Sequence, residues 1–468
     1  MRRARGLGHD GRGQRRRRRR DGGHRGCDGR ARGQRQRRRW GRRDGRAEDT
    51  AVADTAVADT ALADTAVADT AVADTAVADT AVADPAAEDA SVVDDALAPP
   101  DVVDPPPTYP KDCADLYAQT LLPTFEIEMD PGEWSGMRDD CANGVQQYRP
   151  IIFHYGSQAV DAQVRLKGNW SWSCDKMQFV VSFNEVDPQA RFHGLRKLVV
   201  DAPWYDPTVL RERLAMDMLR RHGAPYSCVN NARVVVNGEF YGLYANLERM
   251  DHEYLERHFA DDDGNLYQAG QELKTNEDNP DRSDIDAYWA ASDVDTFAAL
   301  ADLPHAVTVW AGEAMLPDLD GYWAGVDINW YIYHHPTRGL LYLTYDADIS
   351  FAENIWPEAV HVDPILWEHP GWKREPQYRM VMSDPSWCMA FEDALRHART
   401  AYDVPLMQAQ IDTWSAQIAD AITDDPHKTF SLADHDTAVD QLRVFVAERA
   451  AFVDEWLASE HCPVTWPE

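Results

Sequence analysis

The sequence contains no run of 18 apolar residues, the length needed to cross a bilayer, so no transmembrane helix is predicted. It also lacks a C-x-x-C pair, which argues against a zinc ribbon. Basic residues are scarce after residue 46. The first 46 residues hold twenty arginines and four aspartates, a net charge of +16, so the remainder carries −48 in a chain whose total is −32. Nucleic acid is therefore not expected as the main ligand, because a phosphate backbone needs a basic surface.

Residues 1–46 form an Arg-rich head with almost no apolar side chains to bury. One interpretation is a tail for nucleic acid or another anionic surface. We favour two others: a solvated, disordered segment, or a start site assigned too early, so that this stretch is not translated. No apolar run follows the arginines, so no signal peptide is visible in the sequence as written.

Residues 47–108 have the composition of a spacer. Residues 51–85 repeat the pentapeptide A-V-A-D-T with small changes, and a proline-rich stretch follows. A period of five builds no continuous apolar face on a helix or a strand. One Asp per repeat makes the segment repel itself and extend. We therefore expect a disordered stalk that holds a folded domain, residues 109–468, away from a surface.

The folded region contains an even number of cysteines, at positions 113, 141, 174, 228, 388 and 462. An even number behind a stalk predicts disulfides and an oxidising location, extracellular or tethered to a cell surface. The alternative is six reduced, buried cysteines in a cytosolic enzyme. Their pairing cannot be deduced, because six cysteines allow 15 connectivities.

Hydrophobic patterns divide the folded region into a strand-rich and a helical part. Alternation predicts a strand at Phe125–Met129, and Asn237-Gly238 predicts a hairpin turn. Helical spacing predicts a helix at Thr208–His222 and a mostly helical segment over 403–457. Further strands are predicted at 150–156, 159–166, 176–183, 195–201, 232–236, 239–247, 323–333 and 339–345, with a helix at 250–259. Strands early and helices late predict an α+β fold.

Asp346-Ala347-Asp348 follows an apolar strand predicted at Gly339–Tyr345. Residues i and i+2 of a strand share a face, so the two carboxylates converge if the strand continues through them. Acids beside a buried strand need a partner. Mg²⁺ is a suitable one, since it prefers one or two carboxylates together with phosphate oxygens. Because D-x-D is a short pattern, the alternative that the pair caps a loop and binds nothing stays open.

Several blocks, in order along the chain, carry a resemblance to a known family. They are Arg165-Leu166-Lys167-Gly168-Asn169-Trp170-Ser171, Lys176-Met177-Gln178-Phe179, Gly194-Leu195-Arg196-Lys197-Leu198, Asn237-Gly238-Glu239-Phe240-Tyr241-Gly242-Leu243-Tyr244 with Glu248, Gly264-Asn265-Leu266-Tyr267, Asn329-Trp330-Tyr331-Ile332-Tyr333 and Asp346-Ala347-Asp348-Ile349-Ser350-Phe351. These blocks resemble motifs of the spore-coat CotH family of atypical secretory kinases, over about half of the folded region. The resemblance implies a kinase-like, two-lobed fold and phosphorylation of proteins with ATP and Mg²⁺ or Mn²⁺.

Phosphoryl transfer depends on positioning and charge neutralisation, and this assigns roles to the matched residues. Lys176 fits a lysine that contacts the ATP phosphates, and Glu248 fits a glutamate that holds it. Arg165 and Lys167 add positive charge near phosphate. In the alternative interpretation these four side chains are solvated ends of strands and hairpins.

The remaining candidates are polar residues near the D-A-D motif. Asp346 or Asp348 would hold the metal, with Asn329 as a second ligand or, alternatively, as a capping residue. Asp320 is the candidate that orients the acceptor hydroxyl, and Asp327 is its rival.

The chain departs from the family pattern at two places. Gln268 stands where a lysine is usual, and Thr344-Tyr345 replaces Pro-Trp before the acids. The expected function is phosphorylation of Ser or Thr on a surface or coat protein of unknown identity. The alternative is a non-catalytic surface or adhesion module of the same fold, with a structural divalent cation such as Ca²⁺.

Overall fold

The computed structural model describes residues 113–168, 171–278, 281–372 and 376–466. The head at 1–46 and the stalk at 47–108 lie outside the described residues, so their expected disorder stays a prediction. The domain boundary at residue 109 and the Asn169-Trp170 pair of the first motif block also lie outside them.

In the first half of the described chain, seven strands form a closed barrel in the order β1-β2-β3-β4-β5-β7-β6. They are β1 (Thr124–Glu128), β2 (Arg149–Tyr155), β3 (Gln158–Lys167), β4 (Gln178–Ser182), β5 (Lys197–Asp201), β6 (Val229–Val236) and β7 (Glu239–Leu247). Strand β1 closes the barrel, because it pairs antiparallel with β2 and parallel with β6. Asn237 and Gly238 have φ angles of 50° and 80° and join β6 to β7 in the predicted hairpin.

Most of the helices follow the barrel. They are α1 (Pro131–Asn143), α2 (Arg211–His222), α3 (His252–His258), α4 (Ser283–Ala290), α5 (Val294–Ala298), α6 (Leu303–Met315), α7 (Pro376–Ser383), α8 (Pro385–Ala401), α9 (Val404–Asp424) and α10 (Leu432–Trp456). Helices α1, α6, α8 and α9 share one start signal, an Asp whose side chain accepts a backbone N–H, followed within two residues by Pro. Proline suits the first turn, because backbone N–H groups there have no acceptor within the helix and its lack of an N–H therefore costs no hydrogen bond.

Helix α2 confirms the predicted amphipathic helix, although it starts at Arg211 rather than Thr208. Asp206 explains the difference, since its carboxylate accepts the backbone N–H groups of Thr208 and Arg211 at 2.8 and 2.9 Å. Val209, between them, has a φ of 60° and interrupts the helical backbone. This turn therefore sets the residue at which the helix begins.

A second sheet has the order β11-β10-β8-β9 in the described chain. Its strands are β8 (Asn265–Gln268), β9 (Glu272–Leu273), β10 (Trp330–His335) and β11 (Gly339–Thr344). The expectation of a strand from Trp323 is wrong, because residues 317–329 form a loop that precedes β10. The departure residue Gln268 lies in β8, paired with Tyr331 of β10.

Helix α6 lies at the centre of the helical half, packed against α8 and β11. Its side chains are buried on nearly every side, and Glu313 is buried among them with no exposed area. The strand-rich first half and the helical second half confirm the predicted α+β fold. None of the described helices is both long enough and apolar enough to span a bilayer.

Among the described residues, three disulfides join the six cysteines of the folded region, as the even number predicted. Their pairs are Cys113–Cys228, Cys141–Cys174 and Cys388–Cys462. The first ties the start of the described chain to the residue before β6, and the last ties the C-terminal segment to α8. These crosslinks are compatible with an oxidising, exterior location.

Candidate functional site

The D-A-D motif lies beyond the end of a strand rather than within one. Strand β11 ends at Thr344, and Asp346 has a left-handed backbone with a φ of 54°. The argument from strand alternation is therefore wrong. The two carboxylates nevertheless line one cleft, together with Asp201 and Glu212. Left-handed backbone is uncommon for a non-glycine residue and clusters at functional sites.

Carboxylates from separate parts of the fold meet in this cleft and beside it. We call them the acid cluster: Asp201 at the end of β5, Glu212 in the first turn of α2, Asp320 in the loop between α6 and β10, and Asp346 and Asp348 after β11. Burial and the charge of Asp201 raise the pKa of Asp346 to about 6. Burial and neighbouring carboxylates raise the pKa values of Glu212, Asp320 and Asp348 well above their usual range. These carboxylates therefore repel one another, and a nearby positive charge would stabilise their ionised forms.

Lys167, at the end of β3, lies against the acid cluster. Its ammonium donates a hydrogen bond to Asp201 and lies 4.0 Å from Oδ2 of Asp346. Burial alone would lower the pKa of Lys167, but the Asp201 and Asp346 carboxylates raise it above its usual value. Lys167 is thus a charged group held beside the D-A-D motif.

Arg211 brings a second positive charge to the cluster and connects α2 to the segment after the D-A-D motif. Its guanidinium donates hydrogen bonds to the carbonyl of Tyr205 and to the side chain of Asn354. Burial lowers the pKa of Arg211, whereas the charges of Asp206 and, to a smaller extent, Asp348 act to raise it.

Asn329 joins two candidates that the sequence left apart. Its side-chain amide donates to Oδ2 of Asp320 at 2.8 Å and to the backbone carbonyl of Asp346 at 3.2 Å. Asp327, the rival of Asp320, instead accepts a hydrogen bond from Gln271 at 2.8 Å, and burial raises its pKa to about 6. The structure therefore brings together Asp320, Asn329 and Asp346.

Lys176 and Glu248, the expected phosphate-binding pair, each have another partner. Lys176 and Asp425 form a buried ion pair with an Nζ–Oδ2 distance of 2.6 Å. Glu248 pairs with Arg257 and also accepts the backbone N–H of Cys228. Lys176 and Glu248 therefore do not pair with each other. Lys176 is neutralised by Asp425, and Glu248 is neutralised by Arg257.

Arg165, another expected phosphate contact, is 8% exposed on β3. Its guanidinium donates to Gln146 and to the carbonyl of Leu166, and it lies 5.5 Å from the ring centre of Tyr148. It therefore supports the end of β3, two residues before Lys167.

Sequence reasoning missed Asp201 and Glu212. Asp201 had a usable signal, since it ends a predicted apolar strand in the same way that Asp346 follows one. Glu212 had none, because an acid in the first turn of a helix is ordinarily a solvated residue that favours the helix dipole. Only the packing of α2 against the cleft shows that Glu212 is 5% exposed, with its Oε1 buried and without a hydrogen-bond partner.

Within the described ranges, no group of three or more His, Cys, Asp or Glu side chains is already close enough to hold a metal ion. The carboxylates of Asp346 and Asp348 and the amide oxygen of Asn329 still offer the kind of oxygen ligand that Mg²⁺ prefers. Such a site is completed by phosphate oxygens and water rather than by protein alone.

Residues 164–453 match the model of a protein family described as CotH kinase protein. The match covers more than half of the chain and spans the acid cluster. The chain belongs to the CotH kinase protein family. CotH membership accounts for the order of the motif blocks, from Lys167 to the D-A-D motif.

Individual relatives are more distant. The chain is 25% identical over 144 residues to the inner spore coat protein H of Bacillus subtilis (strain 168). The aligned region covers 31% of this chain and 38% of that protein. The match thus spans well under half the length of this CotH relative.

Two solved structures show weak likeness. One is the Helicobacter pylori proinflammatory kinase CtkA, with 10% identity and a TM-score of 0.33 over 62% of this chain and 94% of the other. The other is a Shewanella oneidensis MR-1 complex of HipA, HipB and operator DNA, with 13% identity and a TM-score of 0.27 over 67% and 66%. Both TM-scores lie below 0.5, so neither likeness supports a function for this chain.

Proposed function

We propose that this chain is a protein kinase of the CotH type that transfers the γ-phosphoryl group of ATP with Mg²⁺ or Mn²⁺. One observation supports this most directly: Lys167 lies 4.0 Å from Asp346, while Asn329 bridges Asp346 and Asp320. A basic group for phosphate, oxygen ligands for a metal and an acid for the acceptor are thereby adjacent. These are the parts that phosphoryl transfer requires.

Lys167, rather than Lys176, is the proposed phosphate-binding lysine. Its ammonium lies at the acid cluster, whereas the ammonium of Lys176 is taken up by Asp425. Glu212 is the proposed acid that holds Lys167 once ATP is bound, because its carboxylate is buried in the same cleft and acts to raise the pKa of Lys167. Arg165 then stabilises β3 behind Lys167.

Asp346, Asp348 and Asn329 are the proposed metal ligands. When bound, the cation neutralises charge that develops on the phosphate oxygens. Arg211 limits the repulsion at Asp348, since its guanidinium acts to lower the pKa of that carboxyl. Asp320 is the proposed acceptor-orienting residue. Its Oδ2 is held by the Asn329 amide, which also binds the backbone carbonyl of Asp346 and so places Asp320 beside the proposed metal ligands.

The proposed substrate is a Ser or Thr hydroxyl of a surface or coat protein, and the proposed location is extracellular or surface-tethered. The support is indirect: a relative is a spore coat protein, and the disulfides are compatible with an oxidising location.

The test uses the full chain with radiolabelled ATP, Mg²⁺ or Mn²⁺, and casein-like acceptors. We expect label transfer and a nucleotide-dependent rise in melting temperature. Asp348→Asn and Asp320→Asn should abolish transfer without loss of the fold. Asp327→Asn is the matched control, because it makes the same change at an acid that contacts Gln271 instead.

Absence of both transfer and nucleotide-induced stabilisation would refute the proposal. If calorimetry then detected Ca²⁺ binding without nucleotide binding, a non-catalytic module with a structural cation would be favoured.

A further inference from the structure

Glu313 is a buried acid on α6 that bonds both to the loop before β10 and to the end of β11. Its Oε2 accepts the backbone N–H of Trp323 at 2.8 Å, and its Oε1 accepts the hydroxyl of Thr344 at 2.7 Å. Trp323 follows Asp320 by three residues, and Thr344 precedes Asp346 by two. One carboxylate therefore joins the loop of the proposed acceptor-orienting acid to the strand end that carries the proposed metal ligands.

A second observation shows how closely the loop is packed against this carboxylate. A Cβ atom built on Gly321 would lie 2.6 Å from Oδ2 of Asp318 and 3.4 Å from the carboxyl carbon of Glu313. A larger residue at position 321, immediately after Asp320, would therefore displace the Asp318 carboxylate. The carboxyls of Glu313 and Asp318, both with no exposed area, meet over this glycine.

Burial makes both carboxyls harder to ionise than exposed ones. Burial and the charge of Asp318 raise the pKa of Glu313 to about 8, and burial raises that of Asp318 to about 7. A buried carboxyl retained in an otherwise apolar helix costs free energy unless its hydrogen bonds are satisfied. Both oxygens of Glu313 are satisfied, one by the loop before β10 and the other by the last residue of β11.

We propose that Glu313 is a positioning residue, which with Thr344 fixes the distance between Asp320 and Asp346. It acts through the Trp323 amide and the Thr344 hydroxyl and does not itself touch the substrate. The inference rests on the proposed kinase function, since that function gives the distance its importance. It also gives Thr344, a departure from the family pattern, a specific contact with Glu313.

The test compares Glu313→Met, Thr344→Val and the double variant with the parent full chain. We expect Glu313→Met to lower kcat by about tenfold or more, because small misplacements of reacting groups are costly, while the KM for ATP changes little. Thr344→Val should have a smaller effect, and the double variant should be no worse than Glu313→Met. Glu313→Gln should restore most of the activity, because its oxygen accepts from Trp323 and its NH₂ donates to the Thr344 hydroxyl.

Hydrogen exchange gives a readout that does not need catalysis. We expect Glu313→Met to accelerate exchange in residues 317–329 and 344–351 together, with the barrel unchanged. Thr275→Val is the control, since this buried hydroxyl bonds to Leu266 and Gly264 instead of joining the two loops; it should leave exchange in both of them unchanged.

The outcomes separate the two proposals. An active parent with a fully active Glu313→Met variant would overturn the positioning role and leave the kinase proposal standing. A parent that neither transfers phosphate nor is stabilised by nucleotide would refute the kinase proposal, and hydrogen exchange would then decide the role of Glu313. Uniform acceleration across the whole chain, or none in either loop, would overturn it.

Discussion

Nζ of Lys167 and Oδ2 of Asp346 lie 4.0 Å apart, although 179 positions separate them in the chain. Asp201 holds the same ammonium by a hydrogen bond. A lysine at the end of one barrel strand is thus fixed beside an acid that follows the last strand of the second sheet.

Lys167→Met should abolish most phosphoryl transfer. The change keeps the length of the side chain but removes the charge proposed to contact phosphate. We expect kcat/KM to fall by about 100-fold or more, in line with the loss of one electrostatic contact in a transition state. Steady-state kinetics with varied ATP measure it. Lys197→Met, a matched change of a lysine that pairs with Glu185, should retain activity.

Lys176→Met should instead affect stability. Lys176 and Asp425 are 2% and 0% exposed, so removal of the lysine leaves a buried, unpaired carboxylate. Breaking such a pair costs about 3–5 kcal/mol of unfolding free energy. Urea denaturation measures the loss, and the added change Asp425→Leu should recover part of it. A Lys176→Met protein of unchanged stability but without nucleotide binding would show that Lys176 has the phosphate role after all.

Metal-free protein should lose stability as the pH rises from 6.5 to 8.5. The folded pKa values of Asp318 and Glu313, about 7 and 8, exceed the unfolded value of about 4, so the folded state binds more protons in this range. Stability therefore falls as pH rises through these values. His222 and His305, with pKa values lowered by burial to about 4, oppose this trend only below their unfolded value of about 6.5.

Melting curves in EDTA at several pH values test this dependence. Glu313→Gln should flatten it, since an amide does not titrate. A melting temperature that rises from pH 6.5 to 8.5 in the parent would contradict the expected direction.

Loss of the Cys113–Cys228 disulfide should cost more stability than loss of Cys141–Cys174. Their sequence separations are 115 and 33, and a longer closed loop restricts the unfolded chain more. The difference in unfolding free energy should be about 1 kcal/mol in the loop-entropy model. Paired Cys→Ala variants and denaturant titration measure it, and the reverse order would indicate that native contacts dominate.

The sequence was sufficient wherever local pattern decides structure. The Asn237-Gly238 hairpin and helix α2 follow from turn chemistry and apolar periodicity, which act between near neighbours. The even number of cysteines predicted disulfides without their pairing. The ordered motif blocks indicated the family, and the polar residues near the D-A-D motif included Asp320 and Asn329, which the structure brings together.

Only the tertiary structure decided which charged groups meet. Lys176 and Lys167 both lie in family motif blocks, yet one is paired with Asp425, 249 residues away, and the other with Asp201 and Asp346. Glu212 and Glu313 have no distinguishing local pattern. An ion pair between residues this far apart in the sequence depends on how the barrel, α2 and α6 pack. The free energy of a buried charge is set by its burial and by the geometry of its partner, and not by its neighbours in the chain.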